Sequence, residues 1–180
     1  MKIRRPSAED GARIWRLVES SSVLDCNSAY VYLLLCTHFS DTCAVAEDDD
    51  GKLLGFVTGY RLPDKPDTWF VWQVGVSSAA RGRGLGKRLL RAVLTRHDDI
   101  RAIEATVSPS NRASRALFGS LAREFRAPLR EGTGFASPLF PDSHEDEPVL
   151  RIGPFTDYPM RDRPGRALPA ERAELRPRLS

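Results

Sequence analysis

WFVWQVGVSSAARGRGLGKRLL, running from Trp69 to Leu90, holds the end of a strand, a turn and the start of a helix. Phe70 to Val76 is rich in β-branched and aromatic residues and has the length of one strand. Ser77 to Ala80 form a small polar turn, and Arg81-Gly82-Arg83-Gly84-Leu85-Gly86 follows. Beyond it, Leu85, Leu89, Leu90 and Val93 recur at the spacing of one helix face. The glycines therefore sit where a strand hands over to a helix. The first N–H groups of a helix lack internal acceptors and lie at the positive end of its dipole, which makes them a phosphate site. Glycine lets a bulky diphosphate approach the main chain, and Arg81, Arg83, Lys87 and Arg88 add positive charge. The competing reading is a basic surface turn; the strand before and the amphipathic helix after favour a diphosphate loop. The spacing Arg81-x-x-Gly84-x-Gly86 is neither the P-loop nor the dinucleotide fingerprint.

Downstream, His97-Asp98-Asp99 is a break and Ala102 to Val107 reads as a strand. Ser110 or Asn111 then caps a helix whose apolar side is Ala113, Leu117, Phe118 and Leu121. Strand, helix, strand, helix in succession implies a parallel pair. Upstream, Thr42 to Glu47 and Lys52 to Tyr60 read as strands joined by the tight turn Asp48-Asp49-Asp50-Gly51, hence antiparallel. Three aspartates in a row there are read as a solvated turn, not a cation site. Arg61 to Asp67 is expected to be a loop that its prolines keep out of the sheet.

Met1 to Arg5 suits an edge strand, and Ser7 with Asp10 opens a helix buried through Ile14, Leu17 and Val18 that ends near Ser20 to Ser22. Asp25 or Asn27 is expected to cap a second helix, on which Tyr30, Leu34 and His38 share a face beside Leu33. Asp25, Tyr30 and His38 interrupt an apolar segment; they are either a cap, a core tyrosine and a surface histidine, or the walls of a polar site. Glu124 to Pro141 reads as irregular with a short strand at Glu124 to Ala127, and Val149 to Ile152 as the last strand. The expected division is one domain over residues 1–152 and a Pro/Arg-rich tail over residues 153–180, disordered or loosely docked. The fold class is α/β (α+β), with a mixed, mostly antiparallel central sheet flanked by helices.

The chain has 180 residues, 41% of them hydrophobic, enough for one core. A formal charge of +3 is mild for a nucleic-acid binder, so no nucleic-acid partner is expected. No apolar run approaches a membrane span. Cys26, Cys36 and Cys43 have no metal-like spacing, and an odd count without a signal peptide points to the cytoplasm.

The glycine loop resembles the acetyl-CoA loop of the GNAT superfamily of N-acetyltransferases, and the element order β-α-α-β-β-β-α-β-α-β(-β) matches that fold. Asn111-Arg112-Ala113-Ser114 resembles the superfamily's N-x-x-A segment. SSVLDCNSAYVYLLLCTHF from Ser21 to Phe39, FVWQV from Phe70 to Val74, TVSPSN from Thr106 to Asn111 and His144-x-x-Glu147 together resemble the L-2,4-diaminobutyrate acetyltransferases of ectoine synthesis. The resemblance covers about Arg4 to Ile152 and leaves the tail out.

This resemblance implies a central sheet with a splayed parallel pair, acetyl-CoA as co-substrate, no metal, a small diamino-acid acceptor and a homodimer. Cofactor contacts would fall on Val74, Val76, Arg81, Arg83, Gly84, Leu85, Gly86, Lys87, Asn111 and Ser114, with the Val74 N–H polarising the thioester. Asn111 is equally explained as a cap, and both roles are compatible. Asp25 and Glu147 would anchor ammonium groups, and one of them would take the attacking amine's proton. Tyr30, His38, Trp72 and His144 would complete the acceptor pocket. Phe118 stands where many superfamily members carry a tyrosine that protonates the leaving thiolate, and Tyr30 is a candidate replacement. Transfer to another small amine or peptide N-terminus, and non-catalytic acyl-CoA binding, are the alternatives; Phe118 is the feature that favours the last.

Overall fold

The computed structural model describes residues 1–21, 24, 27–141 and 144–155. Its elements are β1 (Lys2–Arg4), α1 (Ala8–Glu19), α2 (Ala29–His38), β2 (Ala44–Glu47), β3 (Leu53–Leu62), β4 (Lys65–Val76), α3 (Leu85–Leu94), β5 (Ala102–Thr106), α4 (Arg112–Glu124), β6 (Leu129–Phe135) and β7 (Glu147–Ile152). The strands form one sheet in the order β1-β2-β3-β4-β5-β7-β6. Every recorded neighbour pair is antiparallel except β4 with β5. No helix among the described residues is long and apolar enough to cross a membrane.

Side-chain alternation sorts the core into two layers. Ala44, Ala46 and Val57 face the layer filled by Leu85, Leu89, Leu90 and Val93 of α3 and Phe118, Leu121 and Ala122 of α4. Val45 and Phe56 face the other way, onto Ile14 and Val18 of α1 and Tyr32 and Cys36 of α2. The α3 stripe is thus the one its spacing predicts.

The β3–β4 register shifts twice, near the hairpin between Arg61 and Leu62 and, within the core of the strand, between Thr58 and Gly59. Thr58 pairs with Gln73 but Gly59 pairs with Val71, so Trp72 is an extra residue with no opposite number on β3. Such a bulge reverses the facing of everything beyond it. Trp69 and Val71 lie in the α3/α4 layer before it, and Val74 and Val76 pack against the same layer after it. The pairing of β4 with β5 covers only Thr68, Trp69 and Phe70. Past that point β5 continues against β7 through Ala105 and Thr106, while β4 continues against β3 to Val76. The parallel pair therefore splays, with the bulge at the start of the gap.

Several local expectations are corrected. Pro66 and Asp67 belong to β4, so the β3–β4 hairpin turns on Pro63 and Asp64 alone. Proline is tolerated because this is the strand's exposed start, where the Pro66 carbonyl accepts from Arg61 at 2.7 Å. Ser28, not Asn27, caps α2, its hydroxyl accepting from the Tyr30 N–H; Asp25 lies outside the described residues. The stretch read as irregular contains β6, which pairs with β7 from Leu129 to Phe135. No strand forms at 124–127: Arg126 takes φ +50°, and Ala127 and Arg126 donate to the carbonyls of Ala122 and Arg123 at 3.0 and 3.2 Å. These bonds close α4 with a Schellman motif. The packed chain also runs past Ile152. Phe155 is buried, its N–H donates to Arg101 at 2.9 Å and its ring meets Phe125 edge-on at 5.2 Å. The remainder of the expected tail lies outside the described residues.

An ionic cluster joins the start of the chain to the sheet. Asp10 is 1% exposed and accepts from Arg4 at 2.6 Å, from Arg13 at 2.7 Å and from the Ser7 N–H at 2.9 Å. Glu47 accepts from Arg4 at 2.9 Å. Burial opposes ionisation of Asp10, but the Arg4 and Ser7 hydrogen bonds outweigh it and hold its pKa below the usual carboxylate range. Arg4 lowers the pKa of Glu47 in the same way. Burial pushes the Cys36 and Cys43 thiols up to about 12, so both are inert free thiols.

Candidate active site

The gap between β4 and β5 opens towards the start of α3. Gly84 caps that helix with φ +69°, and Gly82 has φ +74°. A side chain built on either would meet nothing within 4 Å, so the space above the loop is free. Gly86 differs: a Cβ there would lie 3.3 Å from Leu117 of α4 and 3.7 Å from Val74 of β4. Its bareness lets the first turn of α3 close onto α4 and the splayed strand. The N–H groups of Leu85, Gly86 and Lys87 precede the first helical acceptor, since the ladder begins with Arg88 N–H to Gly84 at 3.1 Å. Leu85, 3% exposed, nails this end of the helix to the core.

Main-chain geometry aims β4 into the same space. The Ser77 N–H donates to Leu54 of β3 at 2.9 Å. By strand alternation the N–H groups of Val76 and Val74 point away from β3, into the gap. Arg81 donates from Nε to the Val76 carbonyl at 3.4 Å, which holds its guanidinium at the mouth. Arg83 and Arg88 are exposed. Lys87 is turned aside: its ammonium pairs with Glu124 at 2.9 Å and reaches Ser120 at 3.3 Å, so only its main-chain N–H faces the loop. Asn111 caps α4, accepting from the Ser114 N–H at 3.0 Å, which leaves its amide NH2 for a ligand. Phe118 is 3% exposed among core side chains, so that position donates no proton.

On the acceptor side, Trp72 is 44% exposed on the bulge. Thr106 ends β5 on the other arm of the gap, and its hydroxyl donates to Glu147 at 2.7 Å. His144 Nε2 lies 3.8 Å from the second oxygen of Glu147, and its ring stacks on Phe140 at 4.0 Å. The structure thus brings His144, Glu147 and Thr106 together. Tyr30, 65% exposed, begins α2 and His38 ends it. Eight residues at 1.5 Å rise separate them by about 12 Å, so the two do not meet. The shared face expected for Tyr30 and His38 points to solvent; the buried face is Tyr32, Leu35 and Cys36.

Two contacts were not anticipated. Thr106 carries no local signal of its role, because its link to Glu147 spans 41 residues. The buried Tyr32 hydroxyl donates to the Gln73 side chain at 2.8 Å, and Asn27 reaches the same hydroxyl at 3.5 Å. This ties α2 and the chain before it to the residue next to the bulge. Adjacent polar letters in LDCNSAYVY and FVWQV were the available signal. Among the described residues no group of three His, Cys, Asp or Glu side chains has a metal-holding arrangement.

The arrangement offers main-chain donors for a diphosphate and for a carbonyl, with a carboxylate across the gap from an aromatic wall. Comparison with known proteins agrees with that chemistry. Residues 12–122 match the acetyltransferase (GNAT) family model. The chain is 48% identical over 157 residues to the L-2,4-diaminobutyric acid acetyltransferase of Shouchella clausii, covering 86% of this chain and 87% of that one. It is 47% identical over 155 residues to the enzyme of the same name from Halomonas elongata, covering 85% and 81%. Among solved structures it resembles the diaminobutyrate acetyltransferase EctA from Paenibacillus lautus in complex with its substrate L-2,4-diaminobutyric acid and coenzyme A. The TM-score is 0.82 at 44% identity, over 87% of this chain and 96% of that one. Naa20 of Chaetomium thermophilum shares the fold at 19% identity, with a TM-score of 0.67 over 86% of this chain and 87% of that one.

Proposed function

Because the chain belongs to the acetyltransferase (GNAT) family and, within it, to the L-2,4-diaminobutyric acid acetyltransferases, we propose the following assignment of its site. The enzyme transfers the acetyl group of acetyl-CoA to the γ-amine of L-2,4-diaminobutyrate, giving N4-acetyl-L-2,4-diaminobutyrate, a step of ectoine synthesis. The observation that carries the reading is the splay of β4 from β5 beneath the open start of α3.

The CoA diphosphate lies on the N–H groups of Leu85, Gly86 and Lys87, with Arg81 and Arg83 beside it, and the pantetheine arm passes between β4 and β5 near Val76, Asn111 and Ser114. The Val74 N–H donates to the thioester oxygen as negative charge develops there. Glu147, oriented by Thr106 and flanked by His144, holds an ammonium group of the acceptor and relays the γ-amine proton. Trp72 walls the acceptor from the β4 side, and Asp25 with Tyr30 and His38 serves it from the α2 side. The CoA thiolate leaves without help from Phe118, and Tyr30 is the candidate to give it a proton. Two copies form a homodimer in the cytoplasm, with the acceptor site near the subunit boundary.

Release of free CoA thiol from acetyl-CoA and diaminobutyrate, with NMR of the product, tests the activity. Acetylation at N4 is expected. A preferred acceptor without the 2,4-diamino acid skeleton would overturn the substrate, and CoA binding without turnover would overturn the enzyme. Sedimentation at micromolar concentration reads the dimer, and a single monomeric species would refute it.

A further inference from the structure

The half of the sheet formed by β5, β7 and β6 is covered by α4 on one face only, and the opposite face carries a row of charge set by the register. Glu104 of β5 pairs with Arg151 of β7, and Arg151 pairs with Arg130 of β6. Directly opposed like charges on neighbouring strands repel. Glu104 forms an ion pair with Arg151 and so answers one of the two guanidinium groups. Beside this row lies a cavity of about 340 Å³ lined by Arg130, Arg151, Lys65, Glu104, Gly132 and Val149, among others. Glu131 also borders it, but its carboxylate is taken by Arg115 of α4. Neither Lys65 nor Arg130 has a carboxylate within ion-pairing distance among the described residues. Three cations therefore border a cavity whose two carboxylates, Glu104 and Glu131, are each already paired.

We propose that this cavity binds a small, doubly charged oxyanion. Arg130 presents the fork that fits two oxygens at once, Lys65 supplies a mobile point charge, and Arg151 is fixed by Glu104 as the third donor. Val149, Thr133 and the bare main chain of Gly132 complete the lining, and the opening to solvent leaves a small anion partly hydrated. The site is lined by none of the α3 loop residues, and on β7 its Val149 lies two residues from Glu147 on the same face, so the acceptor KM is read alongside anion binding.

Calorimetric titration of the full chain, saturated with coenzyme A so that the α3 loop is filled, tests the proposal at constant ionic strength. Inorganic phosphate and malonate are the two probes, and they separate a tetrahedral from a dicarboxylate preference. Saturable binding of at least one is expected. The double variant Lys65→Gln/Arg130→Gln should weaken it at least tenfold while leaving coenzyme A affinity and the KM for diaminobutyrate unchanged. Both replaced residues are exposed, so folding of the variant is checked by an unaltered melting curve without anion. Binding of neither probe, or binding undiminished in the variant, overturns the proposal. A raised KM would make the cavity part of the acceptor site instead. A wild-type dimer that the variant splits, with no anion bound, would make it a subunit contact.

Discussion

Gly84 shows how one residue serves both backbone and ligand. Its φ of +69° is the left-handed conformation in which a β-carbon costs about 1–2 kcal/mol, yet the space around it is empty. Gly84→Ala should therefore lower unfolding free energy by about 1 kcal/mol and leave most coenzyme A affinity in place. Gly84→Glu adds a carboxylate where the diphosphate lies and should weaken coenzyme A at least a hundredfold by calorimetry. Equal affinities for the two variants would refute the diphosphate assignment. Across the gap, Glu147→Gln keeps the acceptor oxygen for Thr106 but removes the charge. A lost charge-assisted hydrogen bond is worth about 1.5–3 kcal/mol, so the KM for diaminobutyrate should rise tenfold or more with coenzyme A affinity unchanged. An unaltered KM would leave Glu147 a structural partner of Thr106.

At the scale of elements, α3 and its loop were legible because their determinants are local. Leucine spacing marks the face, glycines mark the positive-φ cap, and the missing acceptors follow from helix geometry. The end of α4 was not legible, because its cap is an arginine in a conformation that glycine normally supplies. Among the described residues the Arg126 side chain has no hydrogen bond or ion pair, and its φ of +50° carries the left-handed penalty. Arg126→Gly should raise the urea midpoint by the equivalent of about 0.5–1 kcal/mol, the relieved strain being partly offset by unfolded-state entropy. A lower midpoint would mean that the Arg126 side chain packs favourably. β6 escaped the sequence for another reason: LREGTGF has two glycines and no alternating apolar face. Its place is fixed by main-chain bonding to β7, which composition does not encode.

For the whole molecule, the cluster of Arg4, Asp10, Arg13 and Glu47 binds β1, α1 and β2 into one unit. The pKa values of Asp10 and Glu47 are lowered on folding, so the unfolded chain takes up protons more readily. Their stabilisation is complete above the ordinary carboxylate range, near pH 4, and is lost as pH falls through the lower folded values. Asp10→Asn should reduce stability at pH 7 by about 3 kcal/mol, because two arginines lose a buried counter-charge. It should also flatten the acid limb of a stability–pH curve between about pH 5 and 2. An acid limb parallel to wild type would place the acid sensitivity elsewhere.

The sequence alone determined the strand–loop–helix across Trp69 to Leu90, the order of the elements as far as α4 and the parallel pair, because each rests on periodicity, glycine placement or chain connectivity within a few dozen residues. The tertiary structure alone decided that Trp72 is a bulge, that Thr106 grips Glu147, that Lys87 turns to Glu124 and that Tyr30 and His38 stand at opposite ends of an exposed face. Register between strands and the pairing of distant side chains are set by the packing of the assembled core, and no local pattern of residues carries them.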